Sequence, residues 1–156
     1  MPQSFTEFLI ETLDTTVPYT WKYKNPDIWR AELTINGVDY FVLFSQDEDV
    51  YTRWDIVFDI DNRPEGEELY SLSGTGNVHT VFGTLLPLIQ EFTKKNPSVT
   101  SIVFTADEKS RKKFYNRFAK TLSKTLGDWG LKIVERATNK YTLTRPKWLN
   151  DYQSLE

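Results

Sequence analysis

The chain of 156 residues carries a formal net charge of −3, and its length is typical of one domain that can bury a sizeable core. It has no cysteine and a single histidine, which excludes disulfides, thiolate metal sites and histidine-based metal clusters. It has no basic leader and no apolar run of membrane length, and a pI near 5.3 disfavours non-specific nucleic-acid binding. We therefore expect a cytoplasmic protein with neither a membrane nor a nucleic acid as partner.

Charge is distributed unevenly along the chain. Residues 1–70 contain 5 basic and 15 acidic side chains, whereas residues 71–156 contain 14 basic and 7 acidic ones. Two interpretations stay open. Either the two halves pack together and partly neutralise each other, or the basic half attracts an anionic ligand and the acidic half a cationic one.

The N-terminal half predicts a short helix followed by antiparallel strands. Apolar residues recur at helical spacing over 4–13, and Pro18 ends this region. Asn36-Gly37 is typical of a type I′ hairpin turn. Alternating patterns predict strands at 19–24, 29–35, 38–44 and 54–60.

The stretch 67–82 predicts a strand, a tight turn at Gly74 and Gly76, and the start of a long helix. This helix is predicted from Asn77 to Lys95, with a broad apolar stripe and a kink at Pro87. Its first backbone N–H groups and positive dipole end would face an anion such as a phosphate. A plain strand-to-helix turn explains the same residues without a ligand.

A short apolar strand at 99–105, a second helix to about Leu126 and a hairpin at 131–136 and 140–144 are predicted next. On the second helix, Tyr115 and Phe118 belong to the buried side, whereas Lys120 and Lys124 belong to the solvated side. Thr105 and Glu108 fit a capping box at its start.

This order of elements predicts one α+β domain with a mixed, mostly antiparallel twisted sheet flanked by helices. Parallel pairing is expected only across the helix that follows Gly76, where the chain must cross over. The predicted segments are an N-terminal helix at 1–16, antiparallel strands at 19–73, the glycine loop with helix, strand and helix at 74–126, the hairpin at 131–144 and a tail at 145–156.

Residues 50–145 resemble the core of the GCN5-related N-acetyltransferase (GNAT) fold. The resemblance lies in Ser71-x-x-Gly74-x-Gly76, its helix, the strand 101–105 and the helix that carries Phe114-Tyr115. It implies that the glycine loop binds the pyrophosphate of acetyl-CoA and that the next helix and strand border a V-shaped opening for the pantetheine arm. The chain is also similar in character to small uncharacterised proteins of tailed phages.

The resemblance implies a role for Tyr115, which matches the tyrosine that protonates the departing thiolate; packing on the sheet is the alternative. Asp59 is the candidate base for the attacking amine. Asp55 and Asp61 lie on the same face of its predicted strand and are candidate bases as well; acids in this pattern otherwise form the solvated face of a strand. Acetyl-CoA contacts are expected from Ser71, Ser73, Gly74, Thr75, Gly76, Asn77 and Arg111.

Two positions depart from the family pattern. Ser71 stands where the family usually has Gln or Arg, and Arg111 stands where it normally has a small residue, so that Arg111 would crowd the pantetheine arm. Arg111 falls on the buried side of its helix, and burying a guanidinium without a partner is costly. It is expected to pair with an acid of residues 1–70 or to bind an anionic ligand.

Two functions from different classes follow. The first is an acyltransferase that moves an acetyl group from acetyl-CoA to the amine of a small molecule or a protein. The second is a non-catalytic GNAT-like protein that binds or inhibits a protein partner through its polarised surface. A nucleotide held between the glycine loop and Arg111 is a third interpretation.

Overall fold

The computed structural model describes residues 16–61, 78–106, 112–135 and 139–147. The described residues form seven strands and two helices. The elements are β1 (Tyr19–Lys24), β2 (Ile28–Ile35), β3 (Val38–Gln46), β4 (Arg53–Ile60), α1 (Val78–Lys95), β5 (Ser101–Ala106), α2 (Lys112–Thr125), β6 (Gly130–Glu135) and β7 (Asn139–Thr144).

All seven strands lie in one sheet in the order β1-β2-β3-β4-β5-β7-β6. Strands β1 to β4 form an antiparallel meander, and β5, β7 and β6 pair antiparallel with one another. Strands β4 and β5 pair parallel across α1. The predicted α+β class, the mixed and mostly antiparallel sheet and the parallel pair across the helix are therefore confirmed.

The turn between β2 and β3 follows the predicted hairpin. Ile35 pairs with Val38, so that Asn36 and Gly37 alone form the loop. Both have positive φ angles, 50° and 79°, which a type I′ turn requires and which asparagine and glycine tolerate best. Because the side chains of a strand alternate between faces, this turn sets which residues of both strands enter the core.

The two helices pack on one face of the sheet, called the helix face below, through aromatic side chains. Phe92 of α1 stacks on Phe44 at 4.2 Å between ring centroids and contacts Trp54 at 5.1 Å. Phe82 contacts Phe58 of β4 at 5.4 Å and Phe118 of α2 at 4.6 Å. The helix α1 thus covers both the meander and the β5 side of the sheet.

A buried arginine joins three elements near the start of β5. The Arg145 side chain follows β7; its Nε donates to the Val99 carbonyl at 2.9 Å and its Nη2 to the Thr93 carbonyl at 3.1 Å. Its guanidinium also lies 4.7 Å from the Trp129 ring. Burial lowers the pKa of this group. Carbonyl acceptors and an aromatic ring are the partners that a buried guanidinium needs.

Several predicted details differ from the structure. The parallel partner of β5 is β4. The predicted cap at Thr105 is wrong, because Thr105 belongs to β5 and pairs with Lys140. The strand predicted at 67–72, the helix predicted at 4–13 and Glu108 lie outside the described residues. Helix α1 is one element that includes Pro87, and the kink there stays a prediction. The apolar stripe predicted from the sequence includes Leu86, whereas in the structure Leu88 is buried and Leu86 is half-buried. At about 100° per residue, Leu88 lies nearer the centre of the apolar stripe than Leu86 does.

Replacing Phe82 with alanine should lower the free energy of unfolding by about 3–5 kcal/mol, because it removes a fully buried ring between β4 and α2 and leaves a cavity. Urea denaturation measures the change. Lys94→Ala, an exposed position on the same helix, should stay within about 0.5 kcal/mol of the parent protein. Equal losses from both variants would contradict the packing described for Phe82.

Candidate functional site

The parallel pairing of β4 and β5 is short. It joins Arg53–Ile56 to Ser101–Phe104, four residue pairs, and no pair of described residues extends it. Both strands nevertheless continue, β4 to Ile60 and β5 to Ala106. The two strands therefore stop exchanging hydrogen bonds while both are still extended. We call this place the β4–β5 junction.

A cleft of about 260 Å³ lies at the junction. Its side chains belong to the face of the sheet opposite the helices, because they alternate with Ile56 and Phe104, which are buried on the helix face. Backbone or side-chain atoms of seven residues line it: Asp55, Ile56, Val57, Val103, Phe104, Thr105 and Lys140. Valines 57 and 103 give it apolar walls between two charged side chains.

Asp55 and Lys140 are the charged groups of the cleft. Asp55 is opposite Val103 in the β4–β5 register, and Lys140 of β7 is opposite Thr105. Within the part of the chain that the structure describes, neither side chain has an ion-pair partner within 4.0 Å. Partial burial raises the pKa of Asp55, the charge of Asp47 raises it further, and the charges of Arg53 and Lys140 lower it.

A larger hollow of about 490 Å³ lies near the other end of the meander, and its lining includes Glu32, Asp39 and Asp61. These carboxylates already have protein partners. Thr34 donates a hydrogen bond of 2.6 Å to Asp39, and Arg30 forms ion pairs with Glu32 at 3.2 Å and with Asp61 at 3.4 Å. The cleft at the junction differs because its carboxylate and its ammonium group are both available to a ligand.

The structure places Tyr115 on the buried side of α2, as its helical position predicts. It is 0% exposed and its ring meets Phe82 edge to face at 5.2 Å between centroids. Since Phe82 also contacts Phe58, Tyr115 lies near the part of β4 that continues beyond the junction. Tyr115 therefore has a packing role in this structure, and its role as an acid stays a prediction.

The expectation of a solvated acidic face on β4 is wrong at Asp59. This side chain is only 4% exposed, and its Oδ1 accepts a hydrogen bond of 2.8 Å from the Ile60 N–H. It alternates with Phe58, so it lies on the face opposite the helices, across the sheet from Tyr115. The two predicted catalytic residues are therefore not adjacent, and of the three acids Asp55 is the one at the cleft.

The predicted acetyl-CoA contacts lie outside the described residues. These are Ser71, Ser73, Gly74, Thr75, Gly76, Asn77 and Arg111. The helix that should follow the glycine loop is present, and it begins at Val78. Their roles stay predictions.

The two charge halves of the sequence are not joined by ion pairs among the described residues. Pairs such as Arg53–Asp47 and Lys22–Glu32 stay within residues 1–70, and Lys124–Asp128 and Lys95–Glu91 stay within residues 71–156. The cleft is where the halves meet, because Asp55 belongs to the acidic half and Lys140 to the basic half. Their opposite charges interact across it without direct contact.

Sequence reasoning missed Lys140 and Thr105 as site residues. A hairpin at the end of the chain was predicted, but its pattern does not show which of its strands pairs with β5. Because β7 rather than β6 takes that place, Lys140 lies beside Thr105 and the cleft. Asp55 was among the candidate bases, and its position opposite β5 distinguishes it from Asp59 and Asp61.

No protein-family model and no curated protein matches the chain. Among solved structures, a complex of AAC(6′)-Ib with parmomycin and acetyl-CoA aligns at 11% identity, 84% coverage of this chain, 71% of the other and a TM-score of 0.40. An acetyltransferase of the GNAT family from Streptococcus pneumoniae aligns at 16% identity, 77% coverage of this chain, 66% of the other and a TM-score of 0.36. At these TM-scores neither likeness carries weight for ligand or activity.

No helix in the described ranges is both long and apolar enough to cross a membrane.

Replacing Lys140 with glutamine should raise the pKa of Asp55 further above its ordinary value, because a positive charge that favours the carboxylate is lost. Carboxyl-carbon NMR titration of the two proteins measures the midpoint. Lys132→Gln, an exposed lysine on β6 outside the cleft lining, serves as the control and should leave Asp55 unchanged. A midpoint that falls in Lys140→Gln would contradict the charge arrangement described here.

Proposed function

We propose that the protein is a GNAT-like acyltransferase that moves an acetyl group from acetyl-CoA to an amine. The observation that carries the proposal is the β4–β5 junction. Beyond Ile56 and Phe104 the backbone N–H and C=O groups of the two parallel strands do not pair with each other. A cleft of about 260 Å³ lies there. An extended, amide-containing arm such as pantetheine could form hydrogen bonds with backbone groups of the two strands where they separate.

The residues around the junction suit the two ends of such a donor. The pantetheine arm would lie between the two strands where they separate, next to the cleft. The predicted loop Ser71–Asn77 precedes α1 and would hold the pyrophosphate with its backbone N–H groups. In this proposal Arg111, predicted near the start of α2, would contact the anionic end of the donor.

Asp55 is the base in this proposal, in place of Asp59. The amine arrives as an ammonium ion and gives one proton to the Asp55 carboxylate, whose raised pKa makes it a better proton acceptor near neutral pH. The freed lone pair on nitrogen attacks the carbonyl carbon of the thioester. The C–S bond then breaks, and its electron pair stays on sulfur.

The remaining steps restore neutral products. The nitrogen loses a second proton to water as the amide forms, and the thiolate takes one proton to become the thiol. Water then reprotonates the group that gave this proton, and Asp55 releases its own proton to water. Tyr115 is the proposed donor of that proton. Because it lies on the helix face and Asp55 on the opposite face, a thioester within the opening would have the base on one side and the acid on the other.

Acetyl-CoA at about 100 times its dissociation constant should stabilise the protein by about 2.7 kcal/mol and raise its melting temperature by several degrees. Thr105→Trp, which places a large ring where the two strands separate, should abolish this rise. Thr142→Trp is the matched control, because it places the same ring at a half-buried threonine of the neighbouring strand outside the lining. A rise that persists in Thr105→Trp would contradict binding at the junction.

Tyr115→Phe should lower turnover by roughly 100-fold and leave the affinity for acetyl-CoA unchanged, because only the proton donor is removed and the ring is retained. Steady-state release of CoA thiol measures turnover. Tyr141→Phe is the control: Tyr141 is equally buried, its hydroxyl donates to Asn116 at 2.6 Å, and it has no part in the proposed reaction. If Tyr115→Phe turns over as fast as the parent, Tyr115 has no part in proton transfer.

A non-catalytic binding or inhibitory protein of the same fold is the second candidate. The complete burial of Tyr115 favours it, because an acid must reach the departing sulfur. This candidate predicts no acetyl transfer to any amine and no shift of the melting temperature with acetyl-CoA. The experiment with acetyl-CoA therefore separates the two candidates.

A further inference from the structure

We propose that the cleft at the β4–β5 junction binds a free α-amino acid with an apolar side chain, as the acceptor of the acetyl group. The proposal rests on the proposed function for the reaction, and on the cleft itself for the ligand. Its lining combines one carboxylate, one ammonium group, one hydroxyl and two valine side chains.

The two charges are placed to hold a zwitterion. Asp55 and Lys140 lie two strand spacings apart across the sheet, with β5 between them, and two residues apart along it, since Asp55 pairs with Val103 and Lys140 with Thr105. With about 4.8 Å between strands and about 3.3 Å per residue, their Cα atoms are roughly 12 Å apart. The charge of Lys140 acts on Asp55 although the two groups form no ion pair within 4.0 Å, so a small ligand between them could contact both.

Both charged groups of the cleft can form an ion pair with a ligand. Neither has an ion-pair partner among the described residues within 4.0 Å, while six other pairs involving described carboxylates are formed. An α-ammonium group at Asp55 and an α-carboxylate at Lys140 would complete two charge-assisted contacts, which are stronger than neutral hydrogen bonds.

The volume and the apolar lining of the cleft indicate the size and the side chain of the ligand. Drug-sized ligands occupy pockets of about 300–1,000 Å³, so a cleft of about 260 Å³ fits a smaller molecule. Val57 and Val103 offer an apolar contact for its side chain, and Val103 is only 5% exposed. The ammonium nitrogen would lie beside Asp55, the proposed base, where the strands separate to admit the donor.

Calorimetric titration of the full chain with three probes tests the assignment. Leucine carries both charges, leucinamide keeps only the ammonium group, and 4-methylpentanoate keeps only the carboxylate. Leucine should bind at least tenfold more tightly than either of the others. Tighter or equal binding of leucinamide would overturn the proposal and point to an amine or a peptide N-terminus as the ligand.

Two variants test which charged side chain of the cleft binds which charged group of the ligand. Asp55→Asn should weaken leucine and leucinamide by at least tenfold and leave 4-methylpentanoate unchanged. Lys140→Gln should weaken leucine and 4-methylpentanoate and leave leucinamide unchanged. Lys132→Gln, an exposed lysine outside the cleft, is the matched control and should change none of them. All three side chains are exposed, so the variants should fold, which circular dichroism checks.

The outcomes separate this proposal from the proposed function. If acetyl-CoA stabilises the protein but leucine binding is absent or equal in all variants, the amino-acid site is wrong and the acyltransferase stands. If leucine binds with the charge dependence described and acetyl-CoA has no effect, the site stands and the acyltransferase is wrong. Acetylleucine formed by the parent chain, seen by mass spectrometry, and lost in Asp55→Asn supports both.

Discussion

The packing of α1 against the helix face determines most of the arrangement described here. Two phenylalanines of this helix pack against different parts of the sheet. Phe92 lies among the aromatic residues of the meander, whereas Phe82 lies between β4 and α2. Burying apolar surface is the main favourable term in folding. The adjacency of β4 and β5 is therefore stabilised by the packing of α1 as well as by the hydrogen bonds of their short ladder. The two strands can therefore separate beyond Ile56 and Phe104 while they stay paired before these residues.

The sequence predicted the elements of this fold well, because each depended on a local pattern. Asn36-Gly37 specified its own turn, and the apolar stripe of α1 specified its buried face. The sequence did not indicate which strand would lie beside β5, since neither propensity nor periodicity encodes the order of strands in a sheet. The parallel partner Arg53–Ile60 and the placement of β7 both depended on that order.

The candidate site was harder to predict for the same reason. Asp55 and Asp59 have the same local pattern, and only their neighbours in the sheet distinguish them: one lies beside β5 at the cleft, and the other is buried and bonded to the Ile60 N–H. Lys140 had no local signal, because it becomes a site residue only through pairing with Thr105. The uneven distribution of charge along the sequence did indicate that an acidic and a basic region would face each other, and the cleft lies where a residue of each half is present.

The short ladder at the junction also has a consequence for how the chain reaches this structure. The pairs within β1 to β4 and within the closing hairpin form between segments that are near in sequence, whereas the β4–β5 pairing starts beside Thr52 and Thr100, which are 48 residues apart. Closing a long loop costs more conformational entropy than closing a hairpin, and contacts of large sequence separation slow folding. The two antiparallel halves can thus organise independently. The lining of the candidate site comes from β4, β5 and β7, so the site exists only once the two halves have docked.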